Sequence, residues 1–225
     1  VEWVLVTVPQ VQPGRQGRLM LDVVGAITHQ TARGLAGVQP IGLGFQKCQR
    51  GSGFTGGRVF FTLGGADANE HAVKFARQAL GRPRGLVVTR ERSYHGASYA
   101  AMALSGDTRT RTQIDAAQFQ VAHAPPPYAY RCPFGTTDPD DCGALAAKSV
   151  GTLLASAGTD GAAAILMEPN AGTNGIVAPD NYWPALRRET AARGVWLIAD
   201  EVMSAFGRCG EWFAFHKWDV EPDLV

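Results

Sequence analysis

Apolar and polar positions divide the chain into two regimes. From Arg58 onward, short apolar runs alternate with stretches of helical spacing. Val59-Phe60-Phe61-Thr62-Leu63 reads as a buried strand, and Gly64-Gly65 as a turn. Residues 67–80 follow with Ala68, Ala72, Val73, Phe75, Ala76 and Leu80 recurring on one side, which predicts a helix. Gly81 and Pro83 end it. Residues 85–89 predict the next strand. Residues 124–142, with five prolines, predict a long irregular loop. Then come a helix over 144–155, a strand over 162–167, a helix over 183–193 and a strand over 194–199. Strand and helix in this alternation predict an α/β fold, a mostly parallel sheet with helices on both faces.

Before Arg58 the pattern is weaker. Residues 1–8 alternate loosely and read as a strand, residues 18–24 as another, and Gly51 to Gly57 as a flexible connector. The chain therefore divides into an N-terminal segment, 1–57, and a large domain, 58–225.

Composition narrows the function classes. The chain has 225 residues, 45% of them hydrophobic and 18% charged, enough for one sizeable core. A net charge of +1 gives no footprint for nucleic acid. No apolar run reaches the about 20 residues that a membrane span needs, so no membrane partner is expected. Only Lys47, Lys74, Lys148 and Lys217 are lysines among 21 basic side chains. Cys48, Cys132, Cys142 and Cys209 have no metal-ligand spacing and read as free thiols of a reducing, cytoplasmic compartment. Cys132 and Cys142 flank a loop, and an oxidising setting would allow them to pair.

Four places carry candidate chemistry, each with a plainer reading beside it. At Leu63-Gly64-Gly65-Ala66-Asp67 a strand turns through glycines into a helix, where free amides form an anion site. The plainer reading is a tight turn capped by Asp67. Ser93-Tyr94-His95-Gly96 offers an aromatic face for stacking, or a packed Tyr and a loop His. Glu168 after the 162–167 strand suits a polar substrate group, or is a surface acid. Asp200 closes the strand 194–199, where α/β sheets bind ligands. It needs a cationic partner, and a protonated pyridine nitrogen would serve. The plainer reading is a cap or an ion pair with Arg208. A phosphate cradle, a stacking ring and two strand-end carboxylates together fit a phosphorylated pyridine cofactor.

From about Val59 to Val225 the sequence resembles the class III, ω-amino acid type of pyridoxal-phosphate-dependent aminotransferases. The resemblance rests on Phe60 to Arg77, Ser93 to Ala97, Ser105-Gly106-Asp107-Thr108-Arg109, Glu168 to Gly175 and Asp200 to Phe213. Met203-Ser204 and Gly210-Glu211-Trp212-Phe213 look most like the taurine–pyruvate branch. The resemblance implies the large domain of a fold type I enzyme with pyridoxal 5'-phosphate as cofactor. It further implies amino-donor and 2-oxo acid substrates, and a homodimer whose active site spans both subunits. Gly65 and Ala66 would hold the cofactor phosphate, Tyr94 would stack on the ring, and Val202 would pack on its other face. Asp200, the one catalytic residue, would pair with the ring nitrogen. Glu168 would lie toward the substrate, His95 and Gly96 would shape their loop, and Met203 stands where many relatives place Gln near the ring hydroxyl. The same resemblance puts the Schiff-base lysine on an Ala-Lys-Gly-type loop soon after Glu221 to Val225, and none of the four lysines matches it. The 225-residue chain is accordingly expected to bind the cofactor weakly and not to turn over. The alternatives are a same-fold isomerase or decarboxylase, or a non-catalytic cofactor-binding chain.

Overall fold

In the computed structural model, residues 4–8, 58–115 and 119–225 are described. The expected strand over 18–24 and the connector at 51–57 lie outside them. The elements in chain order are β1 (Val4–Val8), β2 (Arg58–Thr62), α1 (Gly65–Ala79), β3 (Leu86–Arg90), α2 (Tyr99–Leu104), α3 (Thr108–Arg111), β4 (Val121–Ala124), α4 (Pro139–Ala155), β5 (Ala162–Met167), β6 (Asn170–Ala171), β7 (Ile176–Val177), α5 (Tyr182–Ala191) and β8 (Trp196–Ala199). Turns of 3-10 helix cover Ala129–Arg131 and Ala214–Trp218.

The central sheet runs β4-β3-β5-β8, and every neighbouring pair is parallel. β1 pairs antiparallel with β2, and β6 with β7. The carboxyl-terminal residues continue the sheet: Leu224 bridges to Ile198 in parallel, and the Ala199 amide donates to the Leu224 carbonyl at 2.9 Å.

Successive residues of the buried strands feed two cores, as the two-residue period of a strand requires. Val87, Ala164, Leu166 and Ile198 face one core with Ala68, Ala72, Val73, Phe75 and Ala76 of α1. Val88, Ile165, Met167, Leu197 and Ala199 face the other with α4 and α5. The predicted parallel sheet covered by helices on both faces is therefore present. Each fully buried Ile or Leu of β5 and β8 contributes about 1.5–3 kcal/mol through burial.

The helices show why their ends fall where they do. Alanines at 68, 72 and 76 recur once per turn, so the α1 backbone lies close to the sheet. Gly81 takes φ 63° just beyond α1, a left-handed conformation that stops the helix. α4 begins at Pro139, five residues before the expected start. Asp138 caps it by accepting from the amides of Asp140 at 2.7 Å and Asp141 at 3.2 Å, and Pro139 sits where its missing N–H costs nothing. The expected 124–142 loop is thus shorter at both ends, because Ala124 closes β4 and Pro139 opens α4. β4, α2 and α3 were not expected from the pattern.

Candidate active site

Because the four central strands are parallel, their carboxyl ends share one edge, which gathers the loops after β3, β4, β5 and β8. The start of α1 reaches the same edge. Ala68 makes the first helical bond, donating to the Gly64 carbonyl at 3.0 Å, so the amides of Gly65, Ala66 and Asp67 precede it and point out of the helix end. No side chain caps Gly64. Asp67 is not the cap: it lies within the first turn, and its Oδ2 accepts from the Leu63 amide at 3.2 Å. A Cβ placed on Gly64 would meet nothing within 4 Å, whereas one on Gly65 would lie 3.0 Å from a Val202 methyl. The glycines leave room in front of three dipole-assisted donors, with Val202 beside them.

The Tyr94–Gly96 loop is fitted tightly to that helix end. Gly96 has φ +129°, and a Cβ there would fall 2.4 Å from the Ala66 Cβ, so only glycine suits the position. The His95 amide donates to Ser105 Oγ at 2.8 Å, and the Gly106 amide to Ser93 Oγ at 3.0 Å. Tyr94 and Val202 remain exposed.

Asp200 is buried, with 7% exposure, and it is well supplied with donors. Oδ2 accepts from Asn69 Nδ2 and from His95 Nδ1, both at 2.8 Å. The second Asn69 proton goes to the His95 carbonyl at 3.0 Å. Among the described residues Oδ1 accepts only the Val202 amide, at 3.2 Å, and keeps acceptor capacity for a further donor. The expected alternative, an ion pair with Arg208, is not formed.

Glu168 is buried too, which removes its reading as a surface acid. Its Oε2 accepts from Arg90 Nη2 at 2.7 Å and its Oε1 from the Tyr94 amide at 3.3 Å. Arg90 is fully buried, and its Nε and Nη1 have no partner. Burial pushes the Glu168 carboxyl up from its ordinary range, while His95 and Arg90 pull it back. The resemblance placed Glu168 toward the substrate; here one oxygen takes Arg90 and the other the Tyr94 amide, so the carboxylate ties down the Tyr94–Gly96 loop.

Met203 is exposed, and a Cβ built on Gly172 would lie 3.0 Å from its terminal methyl. Glu201, next to Asp200, turns the other way. It accepts from the Ser204 hydroxyl and, at 3.0 Å, from the Phe215 amide, and burial pushes its carboxyl up. The structure thus gathers Gly65, Ala66, Tyr94, His95, Gly96, Glu168, Asp200 and Val202 on one edge. Asn69, Arg90 and Glu201 hold that edge together and were not singled out in the sequence. Asn69 falls within the Phe60 to Arg77 stretch that carries the resemblance, which gave it no role of its own. Among the described residues no group of His, Cys, Asp or Glu is placed to hold a metal. The described lysines, Lys74, Lys148 and Lys217, are all on the surface.

Comparison with known proteins supplies the context for this geometry. The family Aminotransferase class-III matches residues 18–225. A putrescine–pyruvate aminotransferase of Pseudomonas aeruginosa is 36% identical over 172 residues, which cover 74% of this chain and 38% of that protein. A leucine/methionine racemase of Thermococcus litoralis is 35% identical over 175 residues, covering 75% of this chain and 38% of the racemase. The crystal structure of a PLP-bound amine transaminase from an uncultivated Pseudomonas species superposes with a TM-score of 0.68 at 28% identity, over 94% of this chain and 44% of that one. The matched part of the chain spans well under half the length of these relatives.

Proposed function

The chain belongs to the class-III aminotransferase family, and from that premise we propose that the full-length protein binds pyridoxal 5'-phosphate at the carboxyl edge of the sheet and transfers an amino group from an ω-amino donor to a 2-oxo acid such as pyruvate. The observation that carries the reading is Asp200: a buried carboxylate held by two side-chain donors on Oδ2 while Oδ1 stays open. A pyridinium nitrogen is the donor that such an oxygen suits. The bound cofactor supplies an electron sink at the carbon undergoing exchange.

The residues of the chain do the holding. The amides of Gly65 and Ala66 receive the phosphate at the start of α1. Tyr94 would stack on the ring and Val202 would pack against its other face. Asp200 would pair with the protonated ring nitrogen. Glu168 fixes the Tyr94 amide, and so the height of the stacking side chain. At Met203 a thioether replaces a side-chain amide, so that position offers packing rather than a strong hydrogen bond.

Met203-Ser204 and Gly210 to Phe213 favour a donor of the taurine–pyruvate kind. We place the lysine that completes the chemistry in the part of the relatives that this chain does not span. Tyr94, Val202, Met203, Phe206 and Trp212 are large exposed side chains, and a second copy of the chain is the partner that completes this edge as a homodimer. Cys132, Cys142 and Cys209 are free thiols, in keeping with a cytoplasmic protein. No helix among the described residues is long and apolar enough to cross a membrane.

The test adds pyridoxal phosphate to the full-length protein, supplies taurine or putrescine with pyruvate, and measures alanine. Alanine formed in step with loss of the amine is the expected result, and none from any ω-amine contradicts the reading. The racemase relative makes amino acid racemisation the second reading. It would interconvert leucine enantiomers with no 2-oxo acid present.

A further inference from the structure

Asn69 lies one turn into α1, after Gly65 and Ala66, and is 5% exposed. Its side-chain nitrogen has two protons and both are used across the chain: one goes to Asp200 Oδ2 at 2.8 Å and the other to the His95 carbonyl at 3.0 Å. His95 Nδ1 reaches the same Oδ2 at 2.8 Å. Asn69, His95 and Asp200, from three segments, therefore close a hydrogen-bonded ring that passes through one carboxylate oxygen and the His95 carbonyl. That ring fixes the rotation of the carboxylate and leaves Oδ1, which accepts the Val202 amide at 3.2 Å, outside it. An amide is the side chain that suits position 69, since a hydroxyl supplies one donor and a carboxylate none.

We propose that Asn69 is the positioning residue that couples the two ends of the cofactor site. The inference rests on the cofactor reading above. The first turn of α1 presents the amides that receive the phosphate, and the next turn presents the Nδ2 that sets the carboxylate for the ring nitrogen. One rigid helix therefore fixes the spacing between the two groups that hold opposite ends of the same ligand. Asn69 acts through Asp200 and touches neither the ring nor the substrate.

The test uses the full-length protein and the variants Asn69→Asp and Asn69→Ala. Asn69→Asp keeps the shape and sets a second carboxylate against Asp200. The charged groups facing this pair are His95 from the loop after β3, Glu168 after β5 with Arg90 behind it, and Glu201 on the loop of Asp200 itself; His123 lies behind His95. Two adjacent carboxylates share a proton as the pH falls, and the protonated side chain then restores one of the two bonds that the amide made.

Relative to wild type at the same pH, Asn69→Asp is expected to weaken pyridoxal-phosphate affinity about tenfold or more at about pH 8.5, with partial recovery by about pH 6. Asn69→Ala is expected to lose about tenfold at both pH values. Inorganic phosphate, which needs only the α1 amides, should bind both variants as it binds wild type. If Asn69→Ala does not fold, Asn69→Ser, with one donor left, should fall between wild type and Asn69→Asp at the higher pH. An Asn69→Asp ratio that does not move with pH, or phosphate binding that falls in step with cofactor binding, makes the residue merely structural and overturns the proposal. If wild type itself develops no visible cofactor band, the function reading fails and takes this proposal with it. If wild type does and the variants match it, only the proposal fails.

Discussion

Asp200 follows β8 and Glu168 follows β5, on the same edge of one sheet, and both are buried. Asp200 is held by neutral or weakly basic donors, an amide side chain, an imidazole and one backbone amide, so one oxygen is left able to take a cation from a ligand. Glu168 has its cation already: the fully buried guanidinium of Arg90 sits 2.7 Å away. Two strand-end acids of the same type thus have opposite uses. A carboxylate whose counter-charge comes from inside the protein braces a loop. A carboxylate held by amides and an imidazole keeps an oxygen for the ligand cation proposed above. Burial and strand position do not tell the two apart; the partner list does.

The largest effect should come from the braced corner. Glu168→Leu leaves Arg90 charged, buried and unpaired, and should cost about 3–5 kcal/mol of unfolding free energy in urea titration. Adding Arg90→Met should recover most of that loss. A single variant as stable as wild type would show that Arg90 does not depend on Glu168.

Acid titration separates the corners next. Burial, reinforced by the charge of Arg111, pulls His123 from 6.5 down to about 4. The unfolded chain then binds the extra proton first, so this contribution is fully present above about pH 6.5 and is lost as the pH falls toward about 4, up to roughly 3 kcal/mol. The raised Glu168 carboxyl works the other way, because there the folded state binds its proton first and gains stability as the pH falls. Denaturation midpoints measured between about pH 7 and pH 4 should flatten in His123→Gln. An unchanged slope would remove His123 from the account.

The smallest effect belongs to Asp107, whose amide donates to the Ser93 carbonyl at 3.0 Å and so frames the stacking loop. The side chain of Arg109 holds the Asp107 carboxyl down from 3.8 to about 2. That contribution is present above about pH 4 and is lost as the pH falls through about 2. Arg109 is largely exposed, so solvent screening limits it to under about 1 kcal/mol. Asp107→Asn should match wild type at about pH 2 and fall slightly below it at neutral pH in the same denaturation assay.

What the sequence makes legible follows from range. The apolar runs of β5 and β8, and the once-per-turn alanines of α1, declare their structure within a few residues. The strand-end position of Asp200 and the glycine turn into α1 are equally local, and both fall where expected. β4 is four residues long and runs into three consecutive prolines, so its strand signal is lost in its surroundings. The Asp138-Pro139 start of α4 is a local signal too, with a capping side chain and a proline suited to a first turn, but it reads as loop when prolines are taken only as breakers. The partners of the two carboxylates are a different matter. Asn69 meets Asp200 across 131 positions and Arg90 meets Glu168 across 78, and nothing in the spacing of either residue announces it. The braced acid and the open acid look alike until the fold brings those distant side chains in.

The central claim is that Asp200 is held open for a ring nitrogen, and cofactor titration of the full-length protein tests it most directly. Asp200→Ala should weaken pyridoxal-phosphate binding by about tenfold or more while inorganic phosphate binds at the start of α1 as in wild type. Cofactor affinity unchanged by Asp200→Ala would contradict the account.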